Sequence, residues 1–292
     1  MKTLGALVRA ARPRQWVKNV LVLAAPAAAG DLFTRTTLVG VAVAFGAFCL
    51  AASGVYLVND VLDVDEDRQH PTKRHRPIAA GELPVPLALA VAVVLLAGAV
   101  VAPLLVPSTG GLWIVLAVYV SVQIAYCIRL KHEPVIDLVV VSSAFLLRAV
   151  AGGVACGLHL SQWFLLAASF GSLFMVAGKR YSEKRLHAGS GLGMTRKSLD
   201  DYSEPYLRFV WTLAAALVTM SYSLWAFELS EQTRSPLPAI SLAPFVIGVL
   251  RYAVDIDRGD AGSPEDIVLR DRVLQLVGLV WAVTFVATVT VR

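Results

Sequence analysis

The residues of this chain best suited to chemistry form one acidic stretch, residues 59–67, with the sequence Asn-Asp-Val-Leu-Asp-Val-Asp-Glu-Asp. A long apolar segment precedes it. If an α-helix continues past Val58, then Asn59, Asp63 and Asp67 fall within about 80° of one another on one face. Mg²⁺ takes few carboxylates, keeps some waters and accepts its remaining oxygens from phosphates. The stretch therefore predicts a catalytic metal site at Asn59, Asp63 and Asp67, with Asp60 as a further ligand or an orienting group.

A basic run, residues 68–76, follows the acidic stretch and contains Lys73, Arg74 and Arg76. Such cations suit the oxygens of a diphosphate held by Mg²⁺. Pro71 and Pro77 bound the run, so the helix should end there and the chain should turn back. We expect the run to fold over a metal–diphosphate. The alternative is a solvated acidic cap, which the basic run makes less favourable.

Composition places these residues in a membrane protein. Of the 292 residues, 57% are hydrophobic, only 16% are charged, and the mean hydropathy is +0.67. The charges fall in clusters between apolar runs long enough to span a bilayer, so the net charge of +5 does not indicate nucleic-acid binding. We predict nine transmembrane helices, at about 16–33, 36–58, 84–106, 111–129, 134–157, 161–179, 207–229, 236–254 and 273–291.

The charged residues also predict an orientation. In this arrangement, 22 of the 26 lysine and arginine residues lie on one side, which is expected to be cytoplasmic and to hold the amino terminus. The same side carries 18 of the 21 aspartate and glutamate residues, which the orientation rule does not require. We therefore expect an active site that faces the cytoplasm at the plasma membrane. A carrier for anionic metabolites is the alternative from another class, but its spans would more often carry polar groups.

Two further groups of residues are candidates for substrate binding in the first half of the chain. Lys18 and Asn19 lie just inside the first span, and Tyr126 and Lys131 lie where the fourth span ends. Interfacial anchoring is the alternative role for both groups.

Arg148 is a candidate within the fifth span, where a charge is costly and needs a cavity or an acidic partner. Asp137 lies 11 residues earlier on the same helix face and could extend a polar strip. A structural ion pair with another helix is the alternative for either residue.

The loop after the sixth span is the most basic in the chain. It contributes Lys179, Arg180, Glu183 and Lys197, with several glycines between its two basic clusters. A mobile basic loop suits closure over phosphates, so we include these four residues among the candidates for substrate binding.

The Asn-Asp-x-x-Asp-x-x-x-Asp cluster after the second span, with a second polar loop after the sixth, resembles the UbiA-type intramembrane prenyltransferase superfamily. Within it, the chain is most similar to the decaprenyl-phosphate phosphoribosyltransferases of arabinan synthesis. The matching stretches cover nearly the whole chain: 12–26, 55–81, 141–154, 163–181, 206–227 and 250–275.

The resemblance implies an all-α, polytopic bundle of nine spans around a lateral, lipid-accessible cavity, formed by residues 1–292 as a single domain. It further implies Mg²⁺ as cofactor, phosphoribosyl diphosphate as donor and a polyprenyl phosphate lipid as acceptor, in the synthesis of a cell-wall precursor. A homo-oligomer is left open.

One departure from the superfamily favours the narrower match. Most members carry a second Asp-rich motif after the sixth span, whereas this chain has Lys179-Arg180-Tyr181-Ser182-Glu183. This loop suits an additional anion and puts a second metal site in doubt. The enzymatic alternative is transfer of a prenyl group from its diphosphate to an aromatic acceptor, since the first motif would serve that reaction equally well.

Overall fold

The computed structural model describes residues 2–190, 199, 201–262, 267 and 270–290, so the predicted substrate-binding residue Lys197 lies outside the described chain. Every regular element of the described residues is a helix, which confirms the all-α prediction. The α-helices, numbered in chain order, are α1 Lys2–Ala11, α2 Ala24–Ala29, α3 Arg35–Leu62, α4 Val64–Gln69, α5 Val85–Val101, α6 Leu112–Ile128, α7 Ile136–Ala155, α8 Gln162–Ser190, α9 Glu204–Thr233, α10 Leu237–Arg258 and α11 Arg272–Thr290. The 3₁₀ segment, Pro13–Leu23, lies between α1 and α2.

The chain divides into two compact units. The first comprises Met1–Ala27, Asp31–Lys131 and Leu147–His159. The second comprises Ala28–Gly30, His132–Leu146 and Leu160–Arg292. The acidic stretch and its basic run belong to the first unit, and the basic end of α8 belongs to the second.

In the first unit, α3 packs against α1, the 3₁₀ segment, α5 and α6. Its buried face carries Ala44, Ala47 and Ala51, whose small side chains allow neighbouring helices to approach closely. Thr34 caps the helix, because its hydroxyl accepts a hydrogen bond from the backbone N–H of Thr37 (3.4 Å). The opposite end of this long helix presents the acidic stretch.

At Gly152, the backbone of α7 comes close to the backbone of the 3₁₀ segment. A Cβ atom added to Gly152 would overlap the carbonyl oxygen of Val22 and lie 2.7 Å from its carbonyl carbon. Neither contact could be relieved by rotating a side chain, because both atoms belong to the backbone. Glycine at this position therefore fixes the 3₁₀ segment against α7.

In the second unit, α8 packs against α9 and α10, and α10 packs against α11. Tyr181, Leu207 and Ile256 are among the fully buried side chains of its core. Gly178 allows Ile256 to reach α8, since a Cβ atom there would lie 2.8 Å from Ile256 Cγ1. This packing fixes the end of α8 that carries Lys179, Arg180 and Glu183.

Eight of the nine predicted spans coincide with α3 and with α5 to α11. The first, 16–33, is not one helix, because the chain forms the 3₁₀ segment and then the six-residue α2. Among the described residues, five helices are long and apolar enough to cross a bilayer: Arg35–Leu62, Val85–Leu105, Ile136–Ala155, Glu204–Thr233 and Leu237–Arg258. The helices Leu112–Ile128 and Arg272–Thr288 are apolar but shorter. The count of nine spans stays a prediction.

The Gly152 contact gives a test of this packing. We expect Gly152→Ala to lower the free energy of unfolding by about 1–3 kcal/mol, because the Val22 backbone must move. Gly46→Ala in α3 is the matched control, since its Cβ would meet nothing within 4 Å. That control should be neutral or stabilising by up to about 1 kcal/mol. Denaturant unfolding in detergent measures both, and equal effects would contradict the assignment.

Candidate active site

The acidic stretch lies where α3 ends and α4 begins. α3 stops at Leu62, and Asp63 joins the helices with φ −94° and ψ 7°. Hydrogen bonds from Asp63 N to Asn59 O (3.0 Å) and from Asp67 N to Asp63 O (2.8 Å) cross the junction. The predicted continuation of the helix past Val58 is therefore correct only to Leu62. Aspartate is a weak helix former, and one carboxylate oxygen of Asp63 binds Lys131, which lies outside both helices.

The junction keeps two of the three predicted metal ligands together. Asn59 Nδ2 donates to Asp63 Oδ2 at 3.0 Å, as expected for residues four apart on one face. Asp67 lies on α4, and its buried carboxylate binds Arg76. Within the described part of the chain, no three His, Cys, Asp or Glu side chains converge as a preformed metal site.

Arg76 connects the basic run to the acidic stretch. Its Nη1 donates to Asp60 Oδ1 at 3.1 Å and to Asp67 Oδ2 at 2.7 Å. The two carboxylates are only 1% and 2% exposed, so each needs a compensating charge. The basic run therefore folds back onto the acidic stretch, and Arg76 holds α3 and α4 in place.

His70 shapes the turn that brings Arg76 back. Its Nδ1 lies 3.2 Å from Thr72 N and 3.3 Å from Lys73 N, and it accepts hydrogen bonds from both. Desolvation lowers the pKa of His70, and the charge of Lys73 lowers it further. The ring is therefore neutral near pH 7 and keeps Nδ1 available as an acceptor.

Arg12 also forms an ion pair with Asp60, and it was not among the predicted site residues. Its Nη2 donates to Asp60 Oδ1 at 2.6 Å, and its guanidinium lies 4.6 Å from the centroid of the Tyr56 ring. Arg12 has φ 54°, a left-handed conformation that residues with side chains rarely adopt. The ion pair helps to hold this conformation at the start of the 3₁₀ segment.

Lys131 is the cation on Asp63. It follows α6 in the 3₁₀ turn Leu130–His132, and its Nζ binds Asp63 Oδ1. The sequence predicted Lys131 as a substrate-binding residue, and the structure places it directly on a predicted metal ligand. Its role toward a substrate stays a prediction.

The cluster of these six side chains is balanced in charge, with three carboxylates and three cations. We call it the acid–base cluster: Asp60, Asp63, Asp67, Arg12, Arg76 and Lys131. Its donor chemistry fits Mg²⁺, because carboxylate and amide oxygens are the ligands this ion prefers. Asp60 Oδ2 is buried and accepts no hydrogen bond from the described residues. The cluster therefore also contains one buried carboxylate oxygen without a hydrogen-bond donor.

Arg148 lies elsewhere in the first unit. Its Nε donates to Asn19 Oδ1 (2.8 Å), its Nη2 donates to Tyr119 OH (3.1 Å), and its guanidinium lies 5.2 Å from the Phe48 ring centroid. Asn19 is fully buried and its Nδ2 also contacts Cys49 Sγ at 3.4 Å. This geometry supports a structural role for Asn19 and Arg148, which the sequence assigned to substrate binding. Tyr119 was not a predicted residue, and its place in an apolar helix gave no signal.

Arg180 in the second unit forms a buried ion pair. Its Nε and Nη2 donate to the two oxygens of Asp137 (3.0 and 3.1 Å), and its Nη1 donates to Glu183 Oε2 (3.0 Å). Asp137 thus forms the structural ion pair that was the alternative to a polar strip with Arg148. Lys179 Nζ lies 3.9 Å from Glu183 Oε1. Direct substrate contact by Arg180 would require these bonds to open, and it stays a prediction.

The four remaining predicted residues are at intermediate or full exposure. Arg74 is exposed, and the other three are partly exposed: Lys18, Lys73 and Tyr126. Their roles in substrate binding stay predictions.

The Arg76 bridge makes a prediction about stability. Arg76→Met should lower the free energy of unfolding by about 3 kcal/mol, because it removes a cation shared by two buried carboxylates. Arg74→Met, on the same turn but exposed, should change it by less than about 0.5 kcal/mol. Denaturant titrations in detergent compare the two variants. Similar losses would show that Arg76 is not the residue that holds the acidic stretch.

The Asp137–Arg180 pair makes a second prediction. Removing either partner should cost about 3–5 kcal/mol, because the other charge is left buried. The double variant Asp137→Leu/Arg180→Met should recover part of that loss, and unfolding of all three variants measures the coupling. Additive losses would contradict a direct ion pair.

Comparison with known proteins places these features in a family. The model of the UbiA prenyltransferase family matches residues 19–270. The chain is 56% identical over 294 residues to a Mycobacterium tuberculosis protein named decaprenyl-phosphate phosphoribosyltransferase, covering 98% of this chain and 95% of that protein. A Corynebacterium glutamicum protein of the same name is 53% identical, covering 97% of this chain and 86% of that protein.

Solved structures support the fold. A UbiA homolog from Archaeoglobus fulgidus, bound to GPP and Mg²⁺, aligns with a TM-score of 0.72 at 19% identity, covering 98% of each chain. A digeranylgeranylglyceryl phosphate synthase aligns with a TM-score of 0.67 at 14% identity, covering 99% of each chain. Together with the apolar helices, the family match identifies a multi-pass membrane protein. The chain belongs to the UbiA prenyltransferase family.

Proposed function

We propose that this protein transfers a 5-phosphoribosyl group from phosphoribosyl diphosphate to decaprenyl phosphate and releases diphosphate. The observation that carries the proposal is the 56% identity, over 98% of the chain, to a protein named for that activity. The reaction would supply a precursor for arabinan of the cell wall. The acid–base cluster supports the same assignment, since a diphosphate donor needs both hard oxygen ligands for a metal and nearby cations.

Asn59, Asp63 and Asp67 are the residues that would hold Mg²⁺. When bound there, the ion would neutralise the charge that develops on the leaving diphosphate. Asp60, which is buried like Asp67, would act as a further ligand or would orient Asp67 through Arg76, which binds both carboxylates.

The cations of the basic run would bind the anionic oxygens of the donor. Lys73 and Arg74 lie on the turn that returns toward the acidic stretch, on the same run as Arg76. Lys179 is a further candidate in the second unit. Glu183 offsets only one of the two positive charges of Lys179 and Arg180. The basic end of α8 therefore keeps a net positive charge, which suits a phosphate.

The acceptor needs no dedicated general base. A phosphate monoester has a second pKa of about 6, so most acceptor molecules are dianions at neutral pH. In the proposed reaction, an acceptor phosphate oxygen forms a bond to carbon 1 of the ribose. The bond from carbon 1 to the diphosphate oxygen breaks, and diphosphate leaves with the electron pair. In-line displacement through an oxocarbenium-like state would invert the configuration at carbon 1.

The proposal also includes an arrangement of the chain in the membrane. We infer nine spans around a lateral cavity that is open to lipid, with residues 1–292 acting as one catalytic domain. The polyprenyl tail would lie between apolar spans while its phosphate reaches the acid–base cluster. The distribution of lysine and arginine supports a cytoplasmic active site in the plasma membrane.

A direct assay tests this function. Purified protein with Mg²⁺, phosphoribosyl diphosphate and decaprenyl phosphate should release diphosphate only when both substrates are present, and EDTA should stop the release. Asp63→Asn should lower kcat at least about 100-fold, because it removes a charged metal ligand. The variant should unfold at a denaturant concentration close to that of the wild type, since Asp63 is less buried than Asp60.

Two results would contradict the proposal. A wild-type kcat for Asp63→Asn would show that Asp63 is not a ligand of the catalytic metal. Consumption of a prenyl diphosphate with an aromatic acceptor, and none of phosphoribosyl diphosphate, would favour the prenyltransferase alternative.

A further inference from the structure

The proposed function does not explain why Asp63, a predicted metal ligand, already has partners on both of its carboxylate oxygens. Oδ1 binds Lys131 Nζ, and Oδ2 accepts a hydrogen bond from Asn59 Nδ2 at 3.0 Å. The side chains of Lys131 and Asp63 are 18% and 19% exposed, so the pair is accessible but only partly solvated. A divalent cation at Asp63 would therefore meet the positive charge of Lys131.

We propose that Lys131 and Mg²⁺ are alternative partners of Asp63, so that Lys131 opposes metal binding until diphosphate is present. This inference rests on the proposed function, since it concerns the same metal and the same leaving group. Lys131 Nζ would bind the Asp63 carboxylate when diphosphate is absent and a diphosphate oxygen when diphosphate is present.

The charges of the acid–base cluster support this antagonism. Its three carboxylates are matched by three cations, so a divalent ion entering alone would leave the cluster with an excess of two positive charges. Diphosphate would offset that excess and would offer Lys131 Nζ a new anionic oxygen. Metal and diphosphate should therefore strengthen each other's binding, and this coupling is reciprocal.

The geometry identifies Lys131, rather than Arg76, as the cation that moves. Arg76 would keep Asp60 as a partner even if Asp67 turned to a metal, because its Nη1 contacts both carboxylates. Among the ion pairs of the described residues, Lys131 is joined to Asp63 alone. A lysine is also a compact charge on a flexible stem, whereas the arginine fork is more rigid.

Two titrations by isothermal calorimetry test the proposal on purified protein stripped with EDTA. Mg²⁺ is added without diphosphate in the first, and inorganic diphosphate is added in EDTA in the second. Lys131→Met should bind Mg²⁺ about tenfold more tightly than the wild type and inorganic diphosphate about tenfold more weakly. The weaker diphosphate binding distinguishes this exchange of partners from a structural ion pair, because a lysine that only neutralised Asp63 would make no contact with diphosphate.

Matched variants keep the test falsifiable. Lys131→Arg retains the charge and should bind Mg²⁺ like the wild type, and Lys131→Gln is a second neutral variant if Lys131→Met does not fold. Arg129→Met removes an exposed cation two residues away and should change neither titration. Thermal unfolding in detergent establishes that each variant is folded before it is titrated.

Unchanged or weakened Mg²⁺ binding by a folded neutral variant would overturn the proposal. An effect of equal size in Lys131→Arg would overturn it as well, because the charge would then not be the cause. Neither titration requires turnover. If the wild type fails to release diphosphate from phosphoribosyl diphosphate with decaprenyl phosphate, the proposed function fails while the binding result still decides the role of Lys131.

Discussion

Charge compensation of three carboxylates at the end of a membrane helix is the constraint on which this site depends. Asp60 and Asp67 are almost fully buried, and a buried carboxylate is tolerated only with a partner. Arg76 serves both, Arg12 also binds Asp60, and Lys131 binds Asp63. The turn after α4, the left-handed residue before the 3₁₀ segment and the turn after α6 each deliver one of these cations.

Within the first unit, two further contacts hold the 3₁₀ segment that follows Arg12. Gly152 brings α7 against the backbone of Val22 in the 3₁₀ segment, and Arg148 binds Asn19 in the same segment. A buried arginine within an apolar span is costly, so its hydrogen bonds and aromatic neighbours are needed to hold it. These contacts affect the candidate active site indirectly, because the 3₁₀ segment that Arg148 and Gly152 hold begins directly after Arg12.

The sequence predicted the parts of this structure that follow from local pattern. Eight of the nine helices predicted from apolar runs coincide with helices of the structure, and Asn59 and Asp63, predicted to share a helix face, are in contact. The break at Asp63 was not predicted, and neither was the contact of Asp63 with Lys131, which lies 68 residues away in the chain. Arg12 was missed as well, since its partner Asp60 lies 48 residues further on. Periodicity describes which residues share a helix face, and it contains no information on which distant side chain meets that face.

We propose that the acid–base cluster serves phosphoribosyl transfer to a lipid phosphate. Mass spectrometry of the lipid product tests it most directly, after purified protein is given Mg²⁺, phosphoribosyl diphosphate and decaprenyl phosphate. If this proposal is correct, the product is a decaprenyl phosphate heavier by one phosphoribosyl group, with inverted configuration at carbon 1 by NMR. Recovery of unmodified decaprenyl phosphate from protein that converts a prenyl diphosphate and an aromatic acceptor would contradict it.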